Sequence, residues 1–233
     1  MLSIDDLYLS HARRQALAQA VHPLLSVRGP PGTHDVELGL ETLDRLAQVG
    51  PVCLPRFDKA TDDPAAEKTT VIGPASIILF EGWCVGARPQ AEGDLADPIN
   101  ALERLNDSNG LWRGYVNQAL AGPYQTLFAR IDLLVLLQAP NFETVVRWRQ
   151  EQEHALAARL LSDGSAGRGQ AMSDAEVAQF VQYYERLTRH IATEAPSRAH
   201  ILLTLDSRRQ ALMSGVDVSP SGRRVWSTAR RPD

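Results

Sequence analysis

Two carboxylates stand directly after a short apolar start, in Ser3-Ile4-Asp5-Asp6-Leu7-Tyr8. A carboxylate just past a parallel strand lies at the edge where α/β sheets bind ligands. There Asp5 can accept a proton from a substrate hydroxyl or orient a metal-bound water; the plainer reading is that Asp5 and Asp6 cap the following helix. A third acid, Glu81, closes the apolar run Ile77-Ile78-Leu79-Phe80 and is followed by Gly82 and Trp83. A buried strand ending this way can deliver its carboxylate to a magnesium shell, and a glycine lets the backbone turn sharply beside it. Either motif alone is weak. Together, Asp5 and Glu81 on neighbouring strand ends would meet around one divalent ion.

Three further segments carry charge in suggestive patterns. Arg28-Gly29-Pro30-Pro31-Gly32-Thr33-His34-Asp35 begins like a phosphate loop, but such a loop needs glycine, lysine and serine or threonine next, and His34, Asp35 and Val36 stand there. An aspartate in the lysine's place repels phosphate, so the segment reads as a rigid turn that presents His34 and Asp35 to a substrate or caps a helix. In Pro55-Arg56-Phe57-Asp58-Lys59 an Arg and a Lys bracket an Asp. That set suits a small anionic polyhydroxy substrate, Arg56 forking onto a carboxylate while Asp58 accepts from a hydroxyl; a solvated loop is the alternative. Arg147-Trp148-Arg149, with Arg168 in Gly167-Arg168-Gly169 downstream, supplies arginines of the kind that close over transferring phosphates. Arg147 and Arg149 are two apart and face different ways on a helix, so one could reach phosphate while the other pairs with Glu151 or Glu153. Surface ion pairing explains both equally well. His11, His22, His154, His190 and His200 show no metal spacing and no nucleophile partner.

The elements that must position these groups follow from apolar patterning. Ala75 to Phe80, Ile131 to Leu137 and Ala199 to Leu205 are near-continuous apolar runs, which predicts strands covered on both faces. Val52-Cys53-Leu54 adds a shorter one. Thr33 can cap a helix that places Val36, Leu40, Leu43 and Ala47 on one face. Phe142 to Leu161 reads as a helix ending near Ser162-Asp163-Gly164. Ser173 with Glu176 makes a capping box ahead of Val177, Phe180, Val181, Tyr184, Leu187 and Ile191 at helical spacing. Strands alternating with helices predict crossover units and a mostly parallel sheet. From Met213 onward periodicity fades and Ser, Pro, Gly and Arg accumulate, which predicts a flexible basic tail over 213–233 after a domain spanning 1–212.

Composition sets outer bounds. The 233 residues are 44% hydrophobic and 22% charged, ordinary for a folded α/β domain. A net charge of −4 argues against bulk binding to nucleic acid or an anionic membrane. Cys53 and Cys84, without metal spacing, fit a reduced cytoplasmic protein. No apolar stretch approaches the roughly 20 residues of a membrane span.

The ordered set SIDDLYLS, HPLLSVRGPPGTHD, LPRFDKA, ILFEGWCVGARPQ, PINALE, WRGYVNQAL, APNFETVVRWRQEQE, MSDAEVAQFVQYYERLTRH and ILLTLD resembles the D-glycerate 3-kinase-like P-loop kinases, relatives of uridine kinase, phosphoribulokinase and bacterial pantothenate kinase. The resemblance runs from Ser3 to about Asp206. It implies an α/β P-loop kinase fold, a mostly parallel sheet with helices on both faces. It also implies ATP, Mg2+ and transfer of the γ-phosphoryl group to a hydroxyl of a small acid such as D-glycerate. By the same resemblance Asp5 takes the role of catalytic base or hydroxyl orienter and Glu81 that of the acid near magnesium. Arg147 and Arg149 become lid arginines, with Arg168 beside the nucleotide, and His34, Asp35, Arg56, Asp58 and Lys59 line the substrate.

One departure stands out. The family's phosphate loop, ending Gly-Lys-Ser/Thr, lies before the strand that carries SIDDLY, and neither Gly-Lys-Ser nor Gly-Lys-Thr occurs in the 233 residues. This leads to the expectation of a truncated start, through a misassigned initiation site or a degraded gene, with the first, phosphate-loop strand missing. Two function classes follow: a phosphotransferase that needs that loop, or a catalytically dead remnant that binds a small molecule or a partner protein.

Overall fold

The computed structural model describes residues 1–67, 69–162 and 171–212, with one backbone strand pair, 217–218 with 224–225. The chain divides into two units, Met1–Arg130 and Ile131–Asp233. Apart from that one pair of two-residue strands, the tail expected over 213–233 lies outside the described residues, and so does Arg168.

In the first unit, β1 (Leu2–Ser3) runs into a short 3-10 turn, Ile4–Leu7, whose Ile4 and Leu7 are buried. Then come α1 (His11–Ala20) and α2 (Val36–Leu46). Asp35, rather than Thr33, caps α2: its Oδ1 accepts from the Leu38 N–H at 3.1 Å. Thr33 is wholly buried and its hydroxyl donates to the Pro30 carbonyl at 2.7 Å, so the turn uses Thr33 for itself and leaves the cap to Asp35. The strand expected over 52–54 is β2 (Gly50–Leu54). A tight hairpin follows, β3 (Phe57–Asp58) with β4 (Asp63–Pro64), and β5 (Thr69–Gly73) pairs antiparallel with β2. Val52, Leu54 and Leu46 form a small core there, with Val71 and Ala75 against it. β6 (Phe80–Glu81) pairs in parallel with β1, Leu2 opposite Phe80 and Ser3 opposite Glu81. Helices α3 (Ala101–Asn106), α4 (Leu111–Ala119) and α5 (Gln125–Phe128) complete the unit, burying Trp112, Leu120, Tyr124 and Leu127.

The second unit holds β7 (Val135–Gln138), the long α6 (Phe142–Ser162), α7 (Asp174–Phe180), α8 (Gln182–Glu194), β8 (Ile201–Leu205) and β9 (Ala211–Leu212). β7 and β8 are parallel, with β9 antiparallel at the side of β8. The capping box forms as expected, the Ser173 hydroxyl accepting from the Glu176 N–H and the Glu176 carboxylate from the Ser173 N–H. The apolar stripe behind it is split at Val181 into α7 and α8, and Phe142, Val177 and Val181 make the core beneath.

The alternation of helices with parallel strand pairs matches the expected class. The expectation of strands covered on both faces does not hold. Of Ala75–Phe80 only Phe80 is strand; Ile77 is 89% and Leu79 60% exposed. Leu133 before β7, and Val135 and Leu137 within it, are exposed, and β8 is only half-buried. Among the described residues β6 pairs only with β1 and β7 only with β8, so both runs lie at a sheet edge. An apolar run records a capacity for burial, not the presence of a neighbour. Among the described residues no helix is long and apolar enough to cross a membrane.

Candidate active site

The turn after β1 gathers four of the expected residues. Asp5 is engaged at both oxygens: the Tyr8 hydroxyl donates to Oδ1 at 2.8 Å and the Lys59 ammonium to Oδ2 at 2.7 Å. Burial alone would raise the Asp5 pKa, but the hydrogen bonds from Lys59 and Tyr8 outweigh it and hold the carboxyl below its ordinary 3.8. Asp5 is therefore an anion, and a new hydroxyl or cation reaches it by displacing Lys59, the more exposed of its two partners. Neighbouring Asp6 accepts from Arg56 at 2.9 Å and from the Phe57 N–H at 3.3 Å.

His34 closes the other side. The segment before α2 pairs with the turn, the Leu9 N–H donating to the Thr33 carbonyl at 2.9 Å and the Asp35 N–H to the Leu7 carbonyl at 2.6 Å. This lays the His34 ring flat on Tyr8, centroids 4.6 Å apart. His34 is 5% exposed, and its Nδ1 lies 2.6 Å from the Tyr124 hydroxyl, which also accepts from the Gly32 N–H at 2.9 Å. Burial pushes the His34 pKa from 6.5 down to about 3, against the pull of the Asp5 charge, so the ring is neutral. Burial likewise raises Tyr124 well above 10, so its hydroxyl keeps its proton.

The hairpin that carries Arg56 and Lys59 is pinned by Asp62, which accepts from His11 Nδ1 at 2.8 Å, from Arg28 at 2.6 Å and from Arg14. Arg14 is completely buried. Arg14 and Arg28 both lie over the Phe57 ring, at 5.8 and 5.7 Å. The Phe57 ring meets Tyr8 edge-on at 5.3 Å, so the hairpin is tied to the Asp5 turn through ring contact as well as charge.

Two expected substrate residues are occupied locally. Asp35 caps α2 and pairs with Arg13. Asp58 shapes its own turn, accepting from the Ala60 N–H at 2.9 Å and the Thr61 hydroxyl at 3.0 Å. Glu81 sits at the end of β6, opposite Ser3 and exposed. Among the described residues no cluster of three or more metal-binding side chains occurs. Magnesium typically takes only one or two carboxylates and completes its shell with water and phosphate oxygens, so the donor chemistry of Glu81 fits it. Asp5 fits as a second ligand only once Lys59 has moved aside.

The arginines expected in a lid lie in the second unit. Arg149 pairs with the buried Glu153 and covers the Phe180 ring at 5.5 Å. Arg147 is exposed and borders a cleft of about 610 Å³ at the C-terminal ends of β7 and β8, with Gln138, Asn141, Thr144, Thr204 and Asp206.

Sequence reasoning passed over Tyr8, Tyr124, Arg14, Arg28 and Asp62. Tyr8 had a signal, since a hydroxyl three residues after Asp5 reaches back to it across one turn. Tyr124 had none, being 90 residues from His34.

No family model matches the chain. An uncharacterized kinase of Schizosaccharomyces pombe, mug58, is 35% identical over 194 residues, which are 78% of this chain and 66% of that protein. The chloroplastic D-glycerate 3-kinase of Arabidopsis thaliana is also 35% identical, over 78% of this chain and 39% of its own length. A solved D-glycerate 3-kinase from Cryptococcus neoformans var. grubii superposes with a TM-score of 0.72 at 27% identity, covering 90% of this chain and 77% of that one. The chain belongs to the D-glycerate 3-kinase-like kinases. It spans 39–66% of the length of the two curated relatives. Asp5 stands just past the C-terminal end of β1, the end of a strand at which α/β sheets in general bind ligands.

Proposed function

We propose that this chain carries the acceptor site of an ATP-dependent kinase that moves the γ-phosphoryl group to a hydroxyl of a small hydroxy acid, D-glycerate being the acid that relatives are named for. The observation that carries this reading is the Asp5 carboxylate, ionised at the end of a parallel strand pair, with the Lys59 cation on its own oxygen and Arg56 on the neighbouring Asp6. The acceptor hydroxyl gives its proton to Asp5, its oxygen forms the new bond to phosphorus, and ADP leaves with the electrons of the broken P–O bond. Lys59, freed from Asp5 by the incoming hydroxyl, and Arg56 meet the acid's carboxylate. His34 and Tyr8 wall the pocket as uncharged groups, while Asp35 and Asp58 support it through the cap and the turn. Glu81 would hold magnesium, which when bound supplies positive charge against the phosphate oxygens. Arg147, on the cleft of the second unit, and Arg149 serve the nucleotide.

A second reading, binding without transfer, is favoured by one observation: the segment that begins like a phosphate loop puts Asp35, where such a loop has its lysine, to work as a helix cap. Calorimetry on the purified chain with D-glycerate, and then with ATP and Mg2+, separates the two. Product formation supports transfer. Binding of the acid with no turnover, in this chain and in the same chain fused behind a relative's phosphate loop, supports the second reading. In the active form, Asp5→Asn is expected to lower kcat by about 10²–10⁴; unchanged turnover would remove Asp5 from the reaction.

A further inference from the structure

His34 carries an unpaired polar atom in the interior. Its Nε2 is fully buried and has no hydrogen-bond partner, although the ring is 5% exposed and the turn around it is otherwise well bonded. The pattern at Tyr124 decides what that atom carries. The Tyr124 oxygen already accepts from the Gly32 N–H at 2.9 Å, and its own proton has the His34 Nδ1 at 2.6 Å as acceptor. If Nδ1 carried the hydrogen and donated to Tyr124, the tyrosine proton would have no acceptor and Nε2 would be a second unpaired site. If Tyr124 donates to Nδ1, every polar atom of the pair is used except one, an N–H at Nε2. A buried donor without a partner is costly, so the arrangement with fewer unpaired groups prevails.

We propose that Tyr124 is a positioning residue that locks neutral His34 in the Nε2–H form, so that the ring holds one fixed donor for an oxygen of the acceptor acid. This rests on the reading of the Asp5 turn as the acceptor site. Tyr8 covers the ring, stacked at 4.6 Å, and is tethered through its hydroxyl to Asp5 Oδ1. That tether ties the ring stacked on His34 to the same carboxylate that the acceptor hydroxyl would meet. Donor and carboxylate then serve the same molecule, one reading an oxygen while the other takes a proton.

The lock is tested without turnover. Long-range 1H–15N spectra of the parent protein at neutral pH are expected to show His34 protonated at Nε2 and bare at Nδ1; a protonated Nδ1 overturns the proposal by itself. Tyr124→Phe is expected to let the Nδ1–H form appear and to weaken D-glycerate binding, followed by calorimetry, by about tenfold, the upper range for one hydrogen bond. An Nε2–H signal that stays unmixed in Tyr124→Phe overturns the lock. If that variant fails to fold, the parent spectrum with and without D-glycerate still decides: the Nε2 proton is expected to shift on binding, and an unmoved resonance at saturation overturns the donor role. Absence of any D-glycerate binding by the parent strikes the acceptor-site reading, whereas the tautomer is judged on the spectra alone.

Discussion

His34 couples the stability of the protein to pH in a direction that its burial fixes. Its pKa is depressed from 6.5 to about 3 in the fold, so between those values the unfolded chain binds more protons and folding weakens as pH falls. At pH 5 the parent is expected to have lost roughly 2 kcal/mol on this account relative to pH 7.5. Urea denaturation at both pH values checks this, and His34→Gln should remove most of the difference. Asp62 changes with pH in the same direction, but through its partners rather than through burial. Burial would raise its pKa, but the hydrogen bond from His11 and the charges of Arg14 and Arg28 keep it low, so its contribution is present above its ordinary 3.8 and fades as pH falls below it. Asp62→Ala leaves the buried Arg14 uncompensated and is expected to cost about 2–3 kcal/mol at pH 7, in the same denaturation assay. At this scale the sequence made Asp5, His34, Arg56 and Lys59 legible because short motifs hold them. Arg14, Arg28 and Asp62 were not legible, since their meaning comes from a convergence of three segments on one carboxylate.

Elements place these groups through close backbone approaches. At Gly82, φ is +156° and a Cβ would lie 2.2 Å from Ile4 Cγ2, so only glycine lets the chain leave β6 across the Asp5 turn. Gly82→Ala is expected to destabilise the fold by about 1–3 kcal/mol and to disturb binding at Asp5, readable as a lowered Tm together with weaker D-glycerate binding. The sharp turn there was legible from an acid followed by glycine; the partner it approaches was not. The α4 start depends on Asp107, which is buried, accepts from the Trp112 and Arg113 N–H groups at 2.7 and 3.1 Å and pairs with the Arg113 guanidinium at 3.0 Å. Asp107→Ala is expected to cost about 3–5 kcal/mol by the same denaturation measurement. The capping box at Ser173 could be read directly because cap and helix are adjacent in the chain, and the helix expected over Phe142 to Leu161 is α6 (Phe142–Ser162). The runs at 75–80 and 131–137 were overread because apolar composition cannot say which strand lies alongside.

Among the described residues each of the two units carries one parallel strand pair, β1 with β6 and β7 with β8. Ile77 and Leu79 in the segment before β6, and Val135 and Leu137 in β7, are exposed apolar side chains of the kind that promote self-association. Sedimentation of the purified chain is expected to show concentration-dependent association, and the combined substitution Ile77→Lys, Leu137→Lys to reduce it; an unaffected profile would mean that these residues are not the contact. The α/β class was legible from the alternation of elements, whereas the division into two units was not, because nothing in composition changes at Arg130.

Exposed apolar side chains also bear on the polypeptide's life after synthesis. Apolar surface that stays open after folding is a feature that chaperones and proteases recognise, so polar replacements at Ile77 and Leu137 should raise the steady-state amount in a cell while leaving the Asp5 turn untouched.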